Sequence, residues 1–101
     1  MSHPTADLSD IVHQRVRLGI LAVLVDADRA EFTYLRDRLD VTDGNLSRHI
    51  QVLAEAGFVE VEKRTGGRSR TWILATGAGR KALTSHLERL QEIIDAAKEA
   101  T

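Results

Sequence analysis

The chain has 101 residues, 29% of them charged, with 14 Lys and Arg against 15 Asp and Glu for a formal net charge of -1, and no cysteine. That length suits one domain with a modest core rather than a large enclosed active site beside a second module, and the lack of cysteine excludes disulfides and thiolate chemistry and fits a reducing, cytoplasmic setting. No export signal or apolar run of about 18 residues is present, so no membrane partner is expected, and a net charge near zero argues at first against nucleic acid, whose binding domains are usually basic.

Residues 1–7 hold the only proline and little that could be buried, which predicts a flexible N-terminal tail. From Leu8 the apolar residues Leu8, Ile11, Val12, Val16, Ile20, Leu21, Val23 and Leu24 recur at three- and four-residue steps as far as Asp26-Ala27-Asp28. They predict a first helix starting at Leu8 with Asp7 or Ser9 as its cap. Its apolar face is wide enough to need cover on more than one side, from its own domain or from a partner chain. The short segment from Ala30 ends in Thr33, a candidate cap for a helix of about two turns over 33–39, with Leu35 and Leu39 on one side. A turn over 40–42 follows, then a helix over 43–56. Its stripe Leu46, Ile50, Leu53, Gly57 steps by four, three and four, and Gly57 ends it. The period then falls to two. Phe58 to Arg64 alternates apolar with charged, Thr65-Gly66-Gly67 is turn chemistry, and Arg68 to Leu74 returns as the second strand of a hairpin. Thr76 caps a last helix over 77–100, in which Leu83, Leu87, Leu90, Ile94 and Ala97 form a heptad seam.

Two constellations carry chemistry. The helices at 33–39 and 43–56 form a helix-turn-helix at about 33–57. The second presents Asp43, Asn45, Ser47, Arg48 and Gln51 outward. Arg48 can bridge a guanine O6/N7 pair and Gln51 an adenine N6/N7 pair, whereas Asp43 suits a cytosine amino group or the positioning of a neighbour. The hairpin, a wing at about 58–75, gathers Lys63, Arg64, Arg68 and Arg70 around a Gly-Gly tip with no acid among them. Such a tip can neutralise phosphates or enter a narrow minor groove; charge of this kind also keeps an edge hairpin from aggregating. Helix, short strand, helix-turn-helix and basic hairpin, in that order, is the winged-helix arrangement. The predicted fold is therefore mainly α (α+β), one domain over 8–101 with a two-stranded wing and a long C-terminal helix.

The runs His13 to Leu24, Phe32-Thr-Tyr-Leu35, Leu39 to Ile50, Leu53 to Val59 and Thr76 to Arg80 resemble the winged helix-turn-helix transcriptional regulators of the MarR and ArsR superfamily, above all their small stand-alone members. The likeness spans roughly residues 8–97, and Thr42 to His49 is its most specific stretch. It implies a homodimer that binds double-stranded DNA. By position, Thr42, Asp43, Asn45, Ser47, Arg48, His49 and Gln51 are the recognition residues, and Arg64, Arg68, Ser69 and Arg70, joined by Lys63, the wing residues. Terminal helices would make the dimer contact, here Leu83, Leu87, Leu90 and Ile94 with Leu8, Ile11 and Val12. The likeness stops short of effector sites. Metal-sensing relatives use a Cys pair or His and carboxylate sets, and this last helix offers only His86, with Arg89 three residues on. One His cannot close a zinc site, although two chains could contribute one each. No cofactor or metal is expected.

His3, His13, His49 and His86 are scattered in sequence and define no base–nucleophile pair. His49 suits either a phosphate contact or plain solvation. Trp72 suits packing of the hairpin onto the first or recognition helix better than stacking on a base, and Tyr34 is read as a core or backbone-anchoring phenol. Ser47 and His49 point in different directions on a helix, and no glycine loop opens a helix with phosphate-binding spacing, so an enzyme is not expected. Regulator and protein-assembly module both remain open. Charge separates them in part: 5 basic and 8 acidic residues over 1–46, 7 and 3 over 47–81, and 2 and 4 over 82–101 place the positive charge on the helix-turn-helix and wing.

Overall fold

The computed structural model describes residues 8–64 and 66–101; the expected tail at 1–7 and Thr65 of the hairpin turn lie outside the described residues. In chain order the elements are α1 (Arg15–Ala27), β1 (Arg29–Glu31), α2 (Phe32–Leu39), α3 (Asp43–Glu55), β2 (Val59–Arg64), β3 (Arg70–Ala75) and α4 (Gly77–Ala100). No described helix is long and apolar enough to cross a membrane.

The first helix starts seven residues later than its periodicity predicts, at Arg15 rather than Leu8. Ser9 accepts from the Val12 amide through Oγ and from the His13 amide through its carbonyl, which closes a turn. Gln14 is extended, and its Oε1 accepts from the Arg17 amide at 2.9 Å, so Gln14 is the cap. Residues 9–14 thus form a non-helical strap. Val12 sits fully buried at its centre, so the three- and four-residue spacing continues although the helix does not. The second helix also starts differently. β1 runs straight into it, Glu31 holds the N-cap position without a capping bond from its side chain, and Thr33 lies inside the helix. At its end Asp40 takes the left-handed conformation (φ 54°), and Val41 donates back to the Arg36 carbonyl. That turn swings the chain into α3.

The sheet is antiparallel in the order β1-β3-β2, so the two-stranded wing gains a third strand. Ala30 opposes Ile73, and Val61 opposes Ile73 from the other side. Ile20, Leu21, Leu24, Leu35, Leu46, Leu53 and Ile73 are the largest fully buried side chains, so α1 forms the middle of the core with α2, α3 and the sheet around it. Arg80 of α4 closes the C-terminal end of α1 by donating to the Val25 carbonyl at 3.3 Å and to Asp28 at 2.8 Å, a cation at a helix C-terminus. Only the first half of α4 is covered. Gly79, Leu83 and His86 are buried, whereas Leu87 is 52% and Ile94 45% exposed. A helix of 24 residues is about 36 Å long, which accounts for the 57 × 25 × 21 Å extents of the molecule.

Candidate nucleic-acid interface

Local chemistry sets α3 in place before any partner is considered. Thr42 is extended and its hydroxyl accepts from the Asn45 amide at 3.2 Å, satisfying one of the first free donors of the helix. Asp43 follows in the first turn, where a carboxylate complements the helix dipole. Leu46, Ile50 and Leu53 bury one stripe, and Gly57 ends the element at φ 81°, a conformation that an L side chain rarely adopts. The opposite side is then forced outward: Thr42, Asp43, Ser47, Arg48 and Gln51 are exposed and Asn45 and His49 half-buried.

Several of these side chains are engaged within the molecule. Arg36 of α2 donates from Nε to Asp37 at 2.9 Å and from Nη1 to Asp43 at 3.0 Å. The Asp43 carboxylate therefore pins the start of α3 to α2, and its negative charge is countered beside the helix face. Gln51 donates to the exposed carboxylate of Glu55 one turn on at 3.2 Å. His49 Nδ1 lies 3.0 Å from the Arg17 guanidinium of α1. Burial first, then the positive charges of Arg17 and Arg48, hold the imidazole below its ordinary value. Arg48 points outward with no partner among the described residues.

Lys63, Arg64, Arg68, Ser69 and Arg70 are all exposed on the wing, and Gly66 and Gly67 turn the tip with φ of 108° and 71°. Arg70 alone among them forms an ion pair, a loose one of 3.5 Å to Glu31. The tertiary fold brings helix and wing together. Ser47 and Gln51 on α3 face Lys63 and Thr71 on the wing across a groove of about 470 Å³, floored by Phe32, Ile50, Ala54, Val61 and Ile73. Arg68, Ser69 and Arg70 edge a second hollow with Glu31 and Thr33. The arrangement offers amide, hydroxyl and guanidinium groups on the outward face of a helix, flanked by exposed cations of which only Arg70 has an acidic partner among the described residues.

Other sequence expectations meet mixed outcomes. Trp72 packs at the C-terminal end of the first helix rather than on the recognition helix: the Arg29 guanidinium carbon lies 4.4 Å from the centre of its ring, and the indole shares a hollow with Ala27 of α1 and with Tyr34 and Asp37 of α2. Tyr34 is 53% exposed, so it is not a core phenol; Leu35 beside it is the residue of α2 that faces the core. Two of the scattered histidines meet. His13 Nδ1 lies 3.1 Å from His86 Nε2, and His86 is 2% exposed with its Nδ1 unpartnered. Burial, then His13, holds the His86 imidazole low. No group of three or more His, Cys, Asp or Glu gathers among the described residues. Of the expected interchain seam, Val12 and Leu83 are buried within their own chain, Leu8 and Leu90 are half-buried, and Ile11, Leu87 and Ile94 stand exposed. Sequence reasoning missed Arg17 and Arg36. Arg17 and His49 are 32 residues apart, which leaves no local signal, whereas the Arg36–Asp43 spacing across a helix-turn-helix could have been read.

Known proteins agree with this geometry. Residues 16–94 match the family described as the winged helix DNA-binding domain. An uncharacterised protein of Methanocaldococcus jannaschii is 39% identical over 84 residues, covering 82% of this chain and 91% of its own. The structure of a transcriptional regulator homologue from Pyrococcus horikoshii superposes with a TM-score of 0.85 at 36% identity, over 88% of this chain and 89% of that one. A MarR family regulator from Silicibacter pomeroyi shares the fold with a TM-score of 0.69 at 21% identity, over 93% of this chain and 63% of the other.

Proposed function

The chain belongs to the winged helix DNA-binding domain family, and we propose that it is a sequence-specific transcriptional regulator that binds duplex DNA as a homodimer. The observation that carries this reading is an outward polar face on α3 that lies across a groove from Lys63 of the wing, with Arg64, Arg68 and Arg70 exposed on the same hairpin. In it, α3 enters the major groove. Arg48 and Gln51 read base edges, Asn45, Ser47 and His49 contact edges or backbone, and Lys63, Arg64, Arg68 and Arg70 lie on the flanking backbone or minor groove. Asp43, held by Arg36, orients the helix start and does not face phosphate.

The bare end of α4 supports the dimer. Leu87 and Ile94 stand exposed on α4 with Leu90 half-buried between them, and Ile11 of the strap and Leu8 before it are also left partly uncovered by the chain. A two-fold axis there would set two α3 helices on successive major grooves about 34 Å apart. The test is titration of duplex DNA at several salt concentrations. Affinity falls steeply with salt, and Arg48→Ala combined with Arg68→Ala abolishes binding. Arg48→Ala alone costs on the order of 1–3 kcal/mol on a preferred sequence. A parent protein with no salt-sensitive duplex binding would instead be a protein-assembly module.

A further inference from the structure

Arg17 ties three parts of the molecule together. Its Nε donates to the Ile11 carbonyl and its Nη2 to the Asp10 carbonyl at 3.2 Å, both in the strap, while Nη1 lies 3.0 Å from His49 Nδ1 on α3. A guanidinium has five N–H donors and no acceptor, so the ring nitrogen facing it must supply a lone pair. The proton of the neutral imidazole then sits on Nε2. That nitrogen has no hydrogen-bond partner among the described residues and is not a buried unpartnered atom, so it opens to solvent. His49 stands one turn beyond Asn45 and next to Arg48 on the helix whose other side is buried.

We propose that Arg17 is a positioning residue for DNA binding: it locks His49 in the Nε2–H form, so that α3 presents this N–H as a fixed donor to a backbone phosphate. The inference rests on the reading of α3 as a DNA-contacting helix, and it adds a residue of α1 that lies outside both the helix-turn-helix and the wing. Phosphate is the group this donor fits, because it only accepts and because Arg48 beside it adds positive charge. The charged groups acting on His49 are Arg17 from α1 and Arg48 from its own helix, and with burial they keep the ring neutral at ordinary pH. The clamp is braced from behind. The strap that Arg17 grips is itself held to α4 by the His13–His86 contact.

The experiment compares the full-length parent, Arg17→Met, His49→Gln and the double variant on a mixed-sequence duplex, since a phosphate contact is independent of sequence. Affinity is read by fluorescence anisotropy between about pH 8 and about pH 6, across the ordinary histidine range, and the tautomer by ¹⁵N NMR of the ring. The parent shows an unprotonated Nδ1 and a pH profile parallel to that of His49→Gln. Arg17→Met populates both tautomers and loses roughly tenfold in affinity at the alkaline end. Its affinity climbs on acidification as the released ring gains charge near its ordinary value. The double variant returns to the profile of His49→Gln. Arg17→Lys, which keeps a charge but cannot grip strap and ring together, repeats the comparison if Arg17→Met does not fold. An Nδ1-protonated ring in the parent, or an Arg17 variant with the parent's pH profile, overturns the inference while leaving the DNA-binding reading intact. Absence of salt-sensitive binding by the parent overturns both.

Discussion

Replacing Gly79 with alanine tests the seat of α4 on the start of the wing. A Cβ at this position would lie 2.0 Å from the Phe58 carbonyl oxygen, 2.9 Å from its carbon and 3.2 Å from its Cα. Carbon contacts are comfortable at about 3.5 Å or more, so backbone must move by more than about 1 Å, with no flexible side chain to give way. The same carbonyl accepts from the Thr76 amide at 3.1 Å, and the adjacent Gly57 carbonyl from the Thr76 hydroxyl at 2.6 Å. Displacement therefore strains the bonds that fix the entry into α4. Overpacking costs about 1–3 kcal/mol and each weakened hydrogen bond about 1 kcal/mol. Better helix propensity returns at most about 1 kcal/mol. A net loss of roughly 2–4 kcal/mol, at about 4–8 °C for each kcal/mol in a domain of this size, lowers Tm by at least about 8 °C. The assay is a calorimetric melt at fixed protein concentration, with Gly77→Ala as its partner, since no atom lies within 4 Å of a Cβ there. Gly77→Ala melts at or above the parent. A Gly79→Ala protein melting within about 3 °C of the parent would refute the steric argument.

Arg64→Ala and Arg68→Ala each reduce the slope of log affinity against log salt by about 1 and weaken all duplexes evenly; an unchanged slope means that the wing touches no phosphate. Leu87→Glu with Ile94→Glu, both at exposed positions, leaves the fold and yields a monomer in sedimentation at concentrations where the parent is dimeric, and a parent that is monomeric throughout removes the dimer. The lowered imidazole of His86 means that the unfolded chain binds its proton more readily than the folded one. Its share of stability is full above about pH 6.5 and drains as pH falls through that value toward the folded one. Melting temperatures therefore drop between about pH 7.5 and about pH 5.5, and His86→Gln flattens the drop; an equal drop in the variant would show that His86 is not the source.

Much of the candidate interface is legible from local signals alone. Thr42, the Leu46-Ile50-Leu53 stripe and Gly57 delimit α3 within one residue, because capping and periodicity act over a single turn. The Arg-rich run around Gly66-Gly67 places the cations at a hairpin tip by the change of period from 3.6 to 2. The start of α1 was not legible. Val12 and Val16 keep helical spacing whether the chain between them is helix or turn, and the decision falls to Ser9 and Gln14, whose hydrogen bonds close a turn and cap the helix behind it. The start of α2 is non-local in the same way: β1, which runs straight into it, is formed by pairing with β3 about 40 residues further on.

By itself, then, the sequence determined the kind of elements, their order, the outward residues of α3 and the regional charge, since each follows from near neighbours along the chain. Only the tertiary structure decided which apolar positions the molecule uses up itself. Leu83 and Leu87 share one stripe, yet the first is buried and the second 52% exposed, because α1 and the sheet extend only so far along α4. It also brought Arg17 to His49, Arg36 to Asp43 and His13 to His86. Helical period says which side a residue faces; what stands opposite it is set by elements distant in sequence that pack into the same volume.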